Sequence, residues 1–266
     1  MIAPIEAICN IHITRTPKAG HSTVKIRIDH LLVRRGLVRT RSQAQDLIRR
    51  GAVSIGGKIA AKPGIEICEH ASIQLLENTH YVSRGAWKLI AALDAFGFSP
   101  EGKTCLDLGA STGGFTQVLL ERGASRVFAV DVGRDQLDPS LRADLRVVSL
   151  ESTDARCLSQ DRFASPIQAL TFDVSFISLL KVLPAVLPFA VKGSWLVALI
   201  KPQFEVGPSL VGKGGIVKDT AAQHEAAKRV LASIEAAGWR FRGTIPSPLP
   251  GQDGNEETLA GATWEG

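Results

Sequence analysis

Apolar positions at helical spacing give the chain its first regular pattern. Between residues 26 and 60 they predict two short helices followed by a β-hairpin, with Gly36 ending the first helix and Gly56-Gly57 forming the hairpin turn. Residues 65–76 predict a further strand. This first unit is therefore predicted to be a small α+β domain.

A different pattern begins after Tyr81, where short apolar strands alternate with helical stretches. Strands are predicted over residues 103–108, 126–130, 146–150, 169–172 and 195–200, and a long helix over residues 220–237. This βαβ alternation predicts an α/β domain with a doubly wound parallel sheet. Ligands of such sheets bind beyond the carboxyl ends of the strands, so the loops there are expected to carry the chemistry.

We divide the chain into a loose tail over residues 1–24, a small domain over residues 25–78 and the α/β domain over residues 79–266. The 266 residues are 45% hydrophobic and 21% charged, which excludes a disordered chain. No apolar run of about 18 residues and no secretory signal is found, so no membrane association is expected. The four cysteines are dispersed, which predicts neither disulfides nor a metal site and favours a cytoplasmic protein.

Positive charge is concentrated in the first third of the chain. Residues 1–80 hold 12 Lys and Arg against 6 Asp and Glu, whereas the remainder holds 19 against 20. This asymmetry favours a polyanion-binding unit attached to a nearly neutral domain. The arginines predicted to line one side of the helix pair are Arg34, Arg35, Arg39, Arg41, Arg49 and Arg50.

The string IRIDHLLVRRGLVRTRSQAQDLIRRGAVSIGGKIAAKPG, over residues 26–64, resembles the S4 RNA-binding domain. Arginine suits such a surface because its planar guanidinium group can bind phosphate through two hydrogen bonds. The unit has no aromatic residue on which a base could stack. We therefore expect it to recognise structured RNA by shape rather than by single-stranded sequence.

A glycine-rich loop follows the first strand of the α/β domain. The candidate cofactor-binding residues in and beside it are Asp107, Gly109, Ser111, Gly113, Gly114, Phe115 and Thr116. Asp131 ends the next strand, where a carboxylate can accept hydrogen bonds from two ribose hydroxyls. A dinucleotide site would prefer the pattern GxGxxG, which is absent. Asp107 can instead counter a cationic ligand, which favours S-adenosylmethionine.

The α/β domain resembles the FtsJ-like ribosomal RNA 2′-O-methyltransferases, which have a Rossmann-like fold. The strings that carry the resemblance are YVSRGAWKL, CLDLGASTGGFTQVLL, VFAVDVG, DVSFISL, IKPQFE, GGIVKD and SPLPGQDGNEE. With the S4-like unit in front, the whole chain resembles the TlyA family. The resemblance implies an S-adenosylmethionine-dependent enzyme that methylates the 2′-hydroxyl of cytidine in ribosomal RNA or ribosomal subunits.

Members of this family use a Lys-Asp-Lys-Glu tetrad. By the matching strings it falls on Lys88, Asp173, Lys201 and Glu257, with Glu256 as the alternative for the last position. The resemblance also implies that Asp154 faces the adenine and that Asp173 lies near the methyl donor. The string that follows Glu257, TLAGATWEG, departs from the aromatic-rich closing strand of the family, so an altered last strand is expected.

The residue types suit the chemistry. A ribose hydroxyl is a poor nucleophile until its proton leaves, whereas a methyl group on a sulfonium is already activated, so the enzyme needs alignment and a base. In a dry pocket with a second cation nearby, one lysine can be uncharged and accept the proton. We expect Lys201 to be this base, oriented by Asp173, and Lys88 to be its electrostatic partner. Glu257 is expected to position either Lys88 or the sugar.

Three other functions remain open. A base methyltransferase would use Asp173-Val-Ser-Phe176 in place of the loop D-P-P-Y, but that loop has two prolines and needs no paired lysines. An RNA-binding or ribosome-assembly protein with an inactive methyltransferase fold would not need the tetrad. A membrane-lysing protein would need a signal or a spanning segment, and neither is found in the sequence.

Overall fold

The computed structural model describes residues 24–38, 40–49, 51–60, 62–76, 81–163, 165–251 and 253–266. Most of the predicted tail over residues 1–24 lies outside the described residues, as do Arg39 and Arg50. The predicted boundary between residues 78 and 79 also lies outside them.

The first unit contains the two predicted helices and the predicted hairpin. Its elements are β1 (Lys25–Arg27), α1 (Ile28–Arg34), α2 (Arg41–Arg49), β2 (Val53–Ile55), β3 (Lys58–Ile59), β4 (Glu66–Cys68) and β5 (Ile73–Leu75). Gly36 ends α1 with a φ of 69°, a left-handed conformation that glycine adopts without strain. The core between the helices and strands is formed by Ile28, Leu32, Ala44, Ile48 and Val53, all fully buried.

The single strand predicted over residues 65–76 is wrong. The structure has two strands there, because a turn closed by the Ala71 N–H and the Cys68 carbonyl reverses the chain. The first, β4, pairs with β1, and the second, β5, pairs with β2. Apolar residues from both strands cover the same small core, so their periodicity did not reveal the turn.

In the described part of the second unit there are seven strands and six α-helices. Its elements are α3 (Gly85–Phe96), β6 (Thr104–Leu108), α4 (Gly114–Glu121), β7 (Arg126–Val130), α5 (Pro139–Arg142), β8 (Val147–Leu150), β9 (Ile167–Phe172), α6 (Leu179–Val186), β10 (Ala190–Ile200), α7 (Pro202–Glu205), α8 (Thr220–Ala236), β11 (Arg240–Pro246) and β12 (Thr258–Thr263).

These strands form one sheet in the order β11-β12-β10-β9-β6-β7-β8. The five predicted strands, β6 to β10, are parallel, which confirms the α/β fold class. The sheet is mostly parallel, and at one edge β12 runs antiparallel to both of its neighbours, β10 and β11. The alanines and glycine of β12 are weak strand formers, and Gly261 lies directly against the Phe96 ring of α3.

Helices cover both faces of this sheet. On one face, α6 and α8 pack against the central strands, and on the other face α3 and α4 do so. The central strands are therefore buried on both sides and consist largely of apolar residues, which is why they could be predicted. All five residues of β6 are buried, including the polar Asp107.

The two units meet where α3 begins. The Arg84 N–H donates to the Arg49 carbonyl at 3.0 Å, and a Cβ at Gly51 would lie 3.2 Å from both Arg84 Cβ and the Trp87 ring. Gly51 also has a φ of 75°, so only glycine fits this close approach. The helix that carries Lys88 is thus in direct contact with the first unit.

Within the described ranges, every helix is too short or too polar to cross a bilayer. Among the same residues, the side chains of His, Cys, Asp and Glu form no group of three or more that could hold a metal ion.

Candidate active site

The loops that follow β6 and β9 are packed against each other at the carboxyl edge of the sheet. The Asp173 N–H donates to the Leu108 carbonyl at 2.8 Å. Gly109 has a φ of 82°, and a Cβ at this position would lie 2.5 Å from the Asp173 carbonyl oxygen. Because backbone cannot move aside as a flexible side chain can, glycine at position 109 is required for Asp173 to occupy its place.

Helix α4 begins at the end of the glycine-rich loop, with Gly113 as its left-handed N-cap. A Cβ at Gly114 would lie 2.1 Å from Ser83 Oγ and 3.1 Å from the backbone nitrogen of Ala86. The start of α4 therefore lies directly against the segment that leads into α3. The loop glycines bring three chain segments, after β6, after β9 and before α3, to one edge.

Asp107 lies beneath the glycine-rich loop. This residue is fully buried, and its two carboxylate oxygens accept hydrogen bonds from Thr116 Oγ1 at 2.7 Å and Thr171 Oγ1 at 2.9 Å. Thr116 and Phe115 are buried as well. These three buried side chains support the loop from beneath.

Burial raises the pKa of the Asp107 carboxyl to about 7, although the hydrogen bonds from Thr116 and Thr171 act in the opposite direction. The negative charge of Asp173 contributes to the rise. Near neutral pH this carboxyl therefore exists in both protonation states.

Asp131 lies at the end of β7, where the sequence predicted it. Its Oδ2 accepts from the Ser111 N–H at 2.8 Å and its Oδ1 from the Gly133 N–H at 2.7 Å. A carboxylate oxygen has more than one lone pair, so both oxygens keep acceptor capacity for a ligand. The neighbouring Val132 is 73% exposed and adds an apolar surface beside this carboxylate.

Asp154 follows β8 and is paired with Arg156. The Arg156 Nη2 lies 2.6 Å from Asp154 Oδ2, and its Nε donates to the same carboxylate. The hydrogen bonds from Arg156 lower the pKa of Asp154 to about 2. This carboxylate is thus already occupied by a charged neighbour, which the sequence pattern did not indicate.

Lys201 directly follows β10 and lies 2.7 Å, Nζ to Oδ1, from Asp173 at the end of β9. The same Nζ donates to Ser175 Oγ at 2.8 Å and to the Asp173 carbonyl at 3.3 Å. Lys201 is 8% exposed, so it is buried at the carboxyl edge of the sheet rather than extended into bulk water. The structure therefore brings these two members of the predicted tetrad together.

Lys88 and Glu257 form a second ion pair. Lys88 Nζ, on the first turns of α3, lies 2.5 Å from Glu257 Oε2, just before β12. Both residues are buried, whereas Glu256 is exposed, so the geometry favours Glu257 over Glu256 as the partner of Lys88. A Cβ at Gly85, one turn before Lys88, would lie 3.7 Å from Asp173 Oδ2, which places the start of α3 beside Asp173.

Arg84 adds a third positive charge at this edge. Its side chain is buried, and burial lowers the pKa of the guanidinium, whereas the negative charges of Glu257 and Asp173 oppose this change. Arg84 therefore lies within electrostatic reach of both carboxylates of the predicted tetrad. Arg84 belongs to the motif SRGAWKL, but the motif alone did not predict a role for it.

Phe176 is an aromatic residue with a highly exposed side chain, at 93%. It has a φ of 64°, an uncommon conformation for a bulky residue, and its ring centroid lies 5.4 Å from that of Phe204. It stands in the loop that also carries Asp173 and Ser175. Sequence reasoning missed its role, although its type and place in DVSF were visible.

The first unit presents arginines around a buried acid. Asp29 is fully buried in α1 and accepts from Arg27 Nη2 at 3.0 Å, Arg41 Nε at 2.9 Å and Gln45 Nε2 at 3.0 Å. Burial alone would raise the pKa of Asp29, but the hydrogen bonds from Arg27, Gln45 and Arg41 outweigh it and lower the pKa. Two arginines with half-exposed side chains are thereby held at one end of the helix pair.

Arg34 and Arg41 line a surface groove of about 520 Å³ together with His30, Ile26 and Val33. The prediction of a shared basic side holds for these two arginines.

The other described arginines are placed differently. Arg35 donates to the Ala71 carbonyl at 2.8 Å and to the Glu69 carbonyl, so it fixes the turn between β4 and β5. Arg49 is exposed at the end of α2, beside the contact with Arg84.

Profiles of two known families match the chain. The FtsJ-like methyltransferase family matches residues 81–264, and the S4 domain matches residues 26–73. The 16S/23S rRNA (cytidine-2′-O)-methyltransferase TlyA of Mycobacterium tuberculosis is 46% identical over 235 residues, which are 88% of each protein. The chain belongs to the TlyA family of FtsJ-like methyltransferases.

Two further relatives extend the TlyA family comparison. Hemolysin A of Brachyspira hyodysenteriae is 39% identical over 88% of this chain and 98% of its own length. A solved structure of a candidate hemolysin from Streptococcus thermophilus has a TM-score of 0.70 at 39% identity, covering 92% of this chain and 90% of that one. Both cover the S4 and methyltransferase units together.

The buried Asp107 provides a pH test. Because folding raises the pKa of this carboxyl from its ordinary value of 3.8, the folded state holds a proton that the unfolded state loses, and the stability from this proton is lost as pH rises towards 7. Asp107→Asn stays neutral, so its stability relative to the wild type should increase between pH 4 and 7, by at most about 1.4 kcal/mol per pH unit.

Urea unfolding of both proteins across this range checks the expectation. The exposed Asp219, which caps α8, gives the matched variant Asp219→Asn, which should show no such rise. A stability difference between wild type and Asp107→Asn that is constant from pH 4 to 7 would contradict the assignment.

Proposed function

We propose that this chain is an S-adenosylmethionine-dependent enzyme that methylates the 2′-hydroxyl of a cytidine in ribosomal RNA. The observation that carries the proposal is the pair of ion pairs, Lys201–Asp173 and Lys88–Glu257, beside the glycine-rich loop. Named relatives in the TlyA family are ribosomal RNA (cytidine-2′-O)-methyltransferases. The FtsJ-like family profile supports the same reaction class.

The residues at the carboxyl edge fit S-adenosylmethionine. Asp131 can accept hydrogen bonds from the two ribose hydroxyls, and the exposed Val132 offers an apolar contact to the adenine. Gly109 lets the loop after β6 pack closely against Asp173, so the two loops at this edge lie side by side. When bound, S-adenosylmethionine supplies a methyl group on a sulfonium, which needs no further activation.

Lys201 is the proposed general base. A ribose hydroxyl becomes a strong nucleophile only as its proton leaves, and an amine at hydrogen-bond distance can accept that proton. An ammonium group has three hydrogens and no lone pair, so Lys201 must release one proton before it can act. Asp173 and Ser175 hold Nζ in place, which keeps the amine aligned with the incoming hydroxyl.

Lys88 and Arg84 are proposed to stabilise negative charge as it develops on the ribose oxygen. Fixed positive groups in a site that excludes water act strongly because little solvent screens them. Glu257 holds Lys88 through the buried ion pair and leaves it little conformational freedom. The site therefore separates the two tasks, with proton transfer at Lys201 and charge stabilisation at Lys88.

Phe176 is proposed to stack on the target nucleobase. Proteins that select one nucleotide of an RNA commonly take up an unstacked base, and an exposed ring in the same loop as Asp173 can replace the lost base contact. The uncommon backbone conformation of Phe176 is what directs the ring outward from this loop.

The S4 unit is proposed to hold structured RNA through Arg27, Arg34 and Arg41. Their guanidinium groups are partly exposed: Arg27 and Arg41 surround Asp29, and Arg34 lines the groove together with Arg41. Phosphate contacts of this kind fix position without reading sequence. The choice of nucleotide is then made at the methyltransferase unit.

Lys201→Ala should lower kcat for methyl transfer by about 100-fold or more, because the base is lost. The dissociation constant for S-adenosylmethionine should change little. Radiolabelled methyl transfer to ribosomal subunits measures the rate, and mapping the label to a 2′-oxygen or to a base tests the reaction class. Lys181→Ala, an exposed lysine on α6, is the control. Full activity in Lys201→Ala would rule out the base assignment, and a labelled base would rule out the reaction.

Phe176→Ala should raise KM for RNA by about 10-fold, the loss expected for one base–aromatic stack of 1–3 kcal/mol. Phe176→Tyr keeps a ring and should remain close to wild type. Binding of S-adenosylmethionine, measured by calorimetry, should be unchanged in both variants. Equal KM values for the alanine and tyrosine variants would argue against stacking.

Arg41→Gln should weaken RNA binding and reduce the slope of log K against log salt by about 0.7–0.9, the value for one phosphate contact. Arg240→Gln removes an exposed arginine of β11 that pairs with Glu265, and it serves as the charge-matched control. Filter binding at several salt concentrations gives both slopes. A slope in Arg41→Gln equal to that of the wild type would exclude the phosphate contact.

A further inference from the structure

Glu205 is a buried acid in the turn that follows Lys201. It ends α7, is 7% exposed and lies four residues after Lys201. Its Oε2 accepts from Ser178 Oγ at 2.6 Å, and its Oε1 accepts from the Leu179 N–H at 2.7 Å. Both donors stand at the start of α6. One carboxylate therefore joins the turn after β10 to the loop after β9.

The two joined segments carry the proposed chemistry. The loop over residues 173–178 holds Asp173, Ser175 and Phe176, and the turn over residues 201–205 begins with Lys201. Lys201 contacts Asp173 and Ser175 at one end of this pair of segments. Glu205 closes the other end, so the loop is held at both ends against the same turn.

The N-terminus of α6 does not need Glu205 as a cap. Ser178 already caps α6 by accepting from the Leu180 N–H at 3.1 Å. Burying a further carboxylate costs free energy, and burial does raise the pKa of Glu205 against the effect of its hydrogen bonds. Arg229 of α8 donates to the Glu205 carbonyl at 2.7 Å, which anchors the turn to the next helix. Such a costly arrangement is expected where the loop position matters.

The loop also contains a strained residue. Phe176 has a φ of 64°, and a bulky side chain keeps such a conformation only where its surroundings determine it. Asp173 is fixed at the start of the loop by the Leu108 carbonyl. At the end of the loop, the contacts of Ser178 and Leu179 with Glu205 supply the second fixed point.

We propose that Glu205 is a positioning residue, which clamps the loop over residues 173–178 to the turn of Lys201 and thereby sets both the Lys201–Asp173 contact and the place of Phe176. This inference rests on the proposed function. It assigns Glu205 no contact with substrate. Its effect is transmitted through Ser178 and Leu179 to the loop.

A carboxylate is needed because both partners are donors. Ser178 O–H and Leu179 N–H each require an acceptor, and ionised glutamate offers two oxygens. Glutamine offers one neutral oxygen and an NH₂ group, so Glu205→Gln keeps the size but removes the negative charge, and hydrogen bonds to an ionised acceptor are stronger than those to a neutral one. Glu205→Asp keeps both oxygens on a shorter side chain and should recover part of the lost function.

The test compares Glu205→Gln, Glu205→Asp and Ser178→Ala with Glu225→Gln, which changes an exposed acid on α8. In Glu205→Gln we expect kcat for methyl transfer to fall about 10-fold or more. KM for S-adenosylmethionine should stay within about 2-fold, because Glu205 acts on the loop rather than on the glycine-rich site. Glu205→Asp should be intermediate, and Glu225→Gln should equal the wild type.

Two further measurements separate positioning from general stability. Hydrogen exchange should accelerate in residues 173–180 of Glu205→Gln, while the amides of the buried strand β6 stay protected. In the double variant of Glu205→Gln and Ser178→Ala, the fold-decrease in kcat should be smaller than the product of the two single decreases, since both changes break the same contact. If Glu205→Gln is too unstable to purify, kcat and hydrogen exchange are measured on Ser178→Ala, which removes the same contact.

Wild-type kcat in Glu205→Gln, or unchanged exchange in residues 173–180, would overturn the inference. Equal loss of protection in β6 and in the loop would also overturn it, because it would indicate general destabilisation. Failure of the proposed function is distinguishable: the wild type would then transfer no methyl group to ribose. The inference would in that case be decided by the exchange measurement, which needs no substrate.

Discussion

The contact between Lys201 and Asp173 depends on how closely two loops can approach at the carboxyl edge of an apolar sheet. Asp173 can lie against the loop after β6 only because Gly109 has no side chain. Lys201 lies beside Asp173 because β10 ends one residue earlier, at Ile200. Parallel strands deliver both loops to the same edge, where they are partly shielded from water. The two opposite charges orient each other, since both side chains are largely shielded from water. The proposed proton transfer requires this alignment.

The fold could be predicted to a large extent from the sequence. Strands buried on both faces, such as β6 and β9, are short apolar runs, and they alternate with helices at a spacing that only a parallel sheet explains. Prediction failed where the residues are small or the elements very short. The reversed strand β12 consists of alanine, glycine and threonine, and its pairing is decided by neighbours distant in sequence. The turn between β4 and β5 is similarly decided by pairing with β1 and β2.

The candidate site could be predicted where a motif fixes both residue type and strand end, which applies to Asp131, Asp173 and Lys201. Lys88 and Glu257 were predicted only from their resemblance to family motifs. In the structure they form an ion pair although they are 169 residues apart in the sequence. Sequence could not show that Asp107 points inward, because a polar residue at a strand end suits a ligand as well as a buried hydroxyl pair. Nor could it reveal Glu205, since its partners lie 26 and 27 residues away on another loop.

Buried acids beneath exposed functional groups recur in this chain. Asp29 holds two arginines of the S4 unit, Asp107 receives two threonine hydroxyls under the glycine-rich loop, and Glu205 holds the start of α6. An isolated buried carboxylate is costly, but several donors offset that cost and at the same time restrict each donor to one position. In each case the restricted groups adjoin a surface proposed to meet RNA or the methyl donor. The chain thus gains defined surfaces from carboxyl groups buried beneath them.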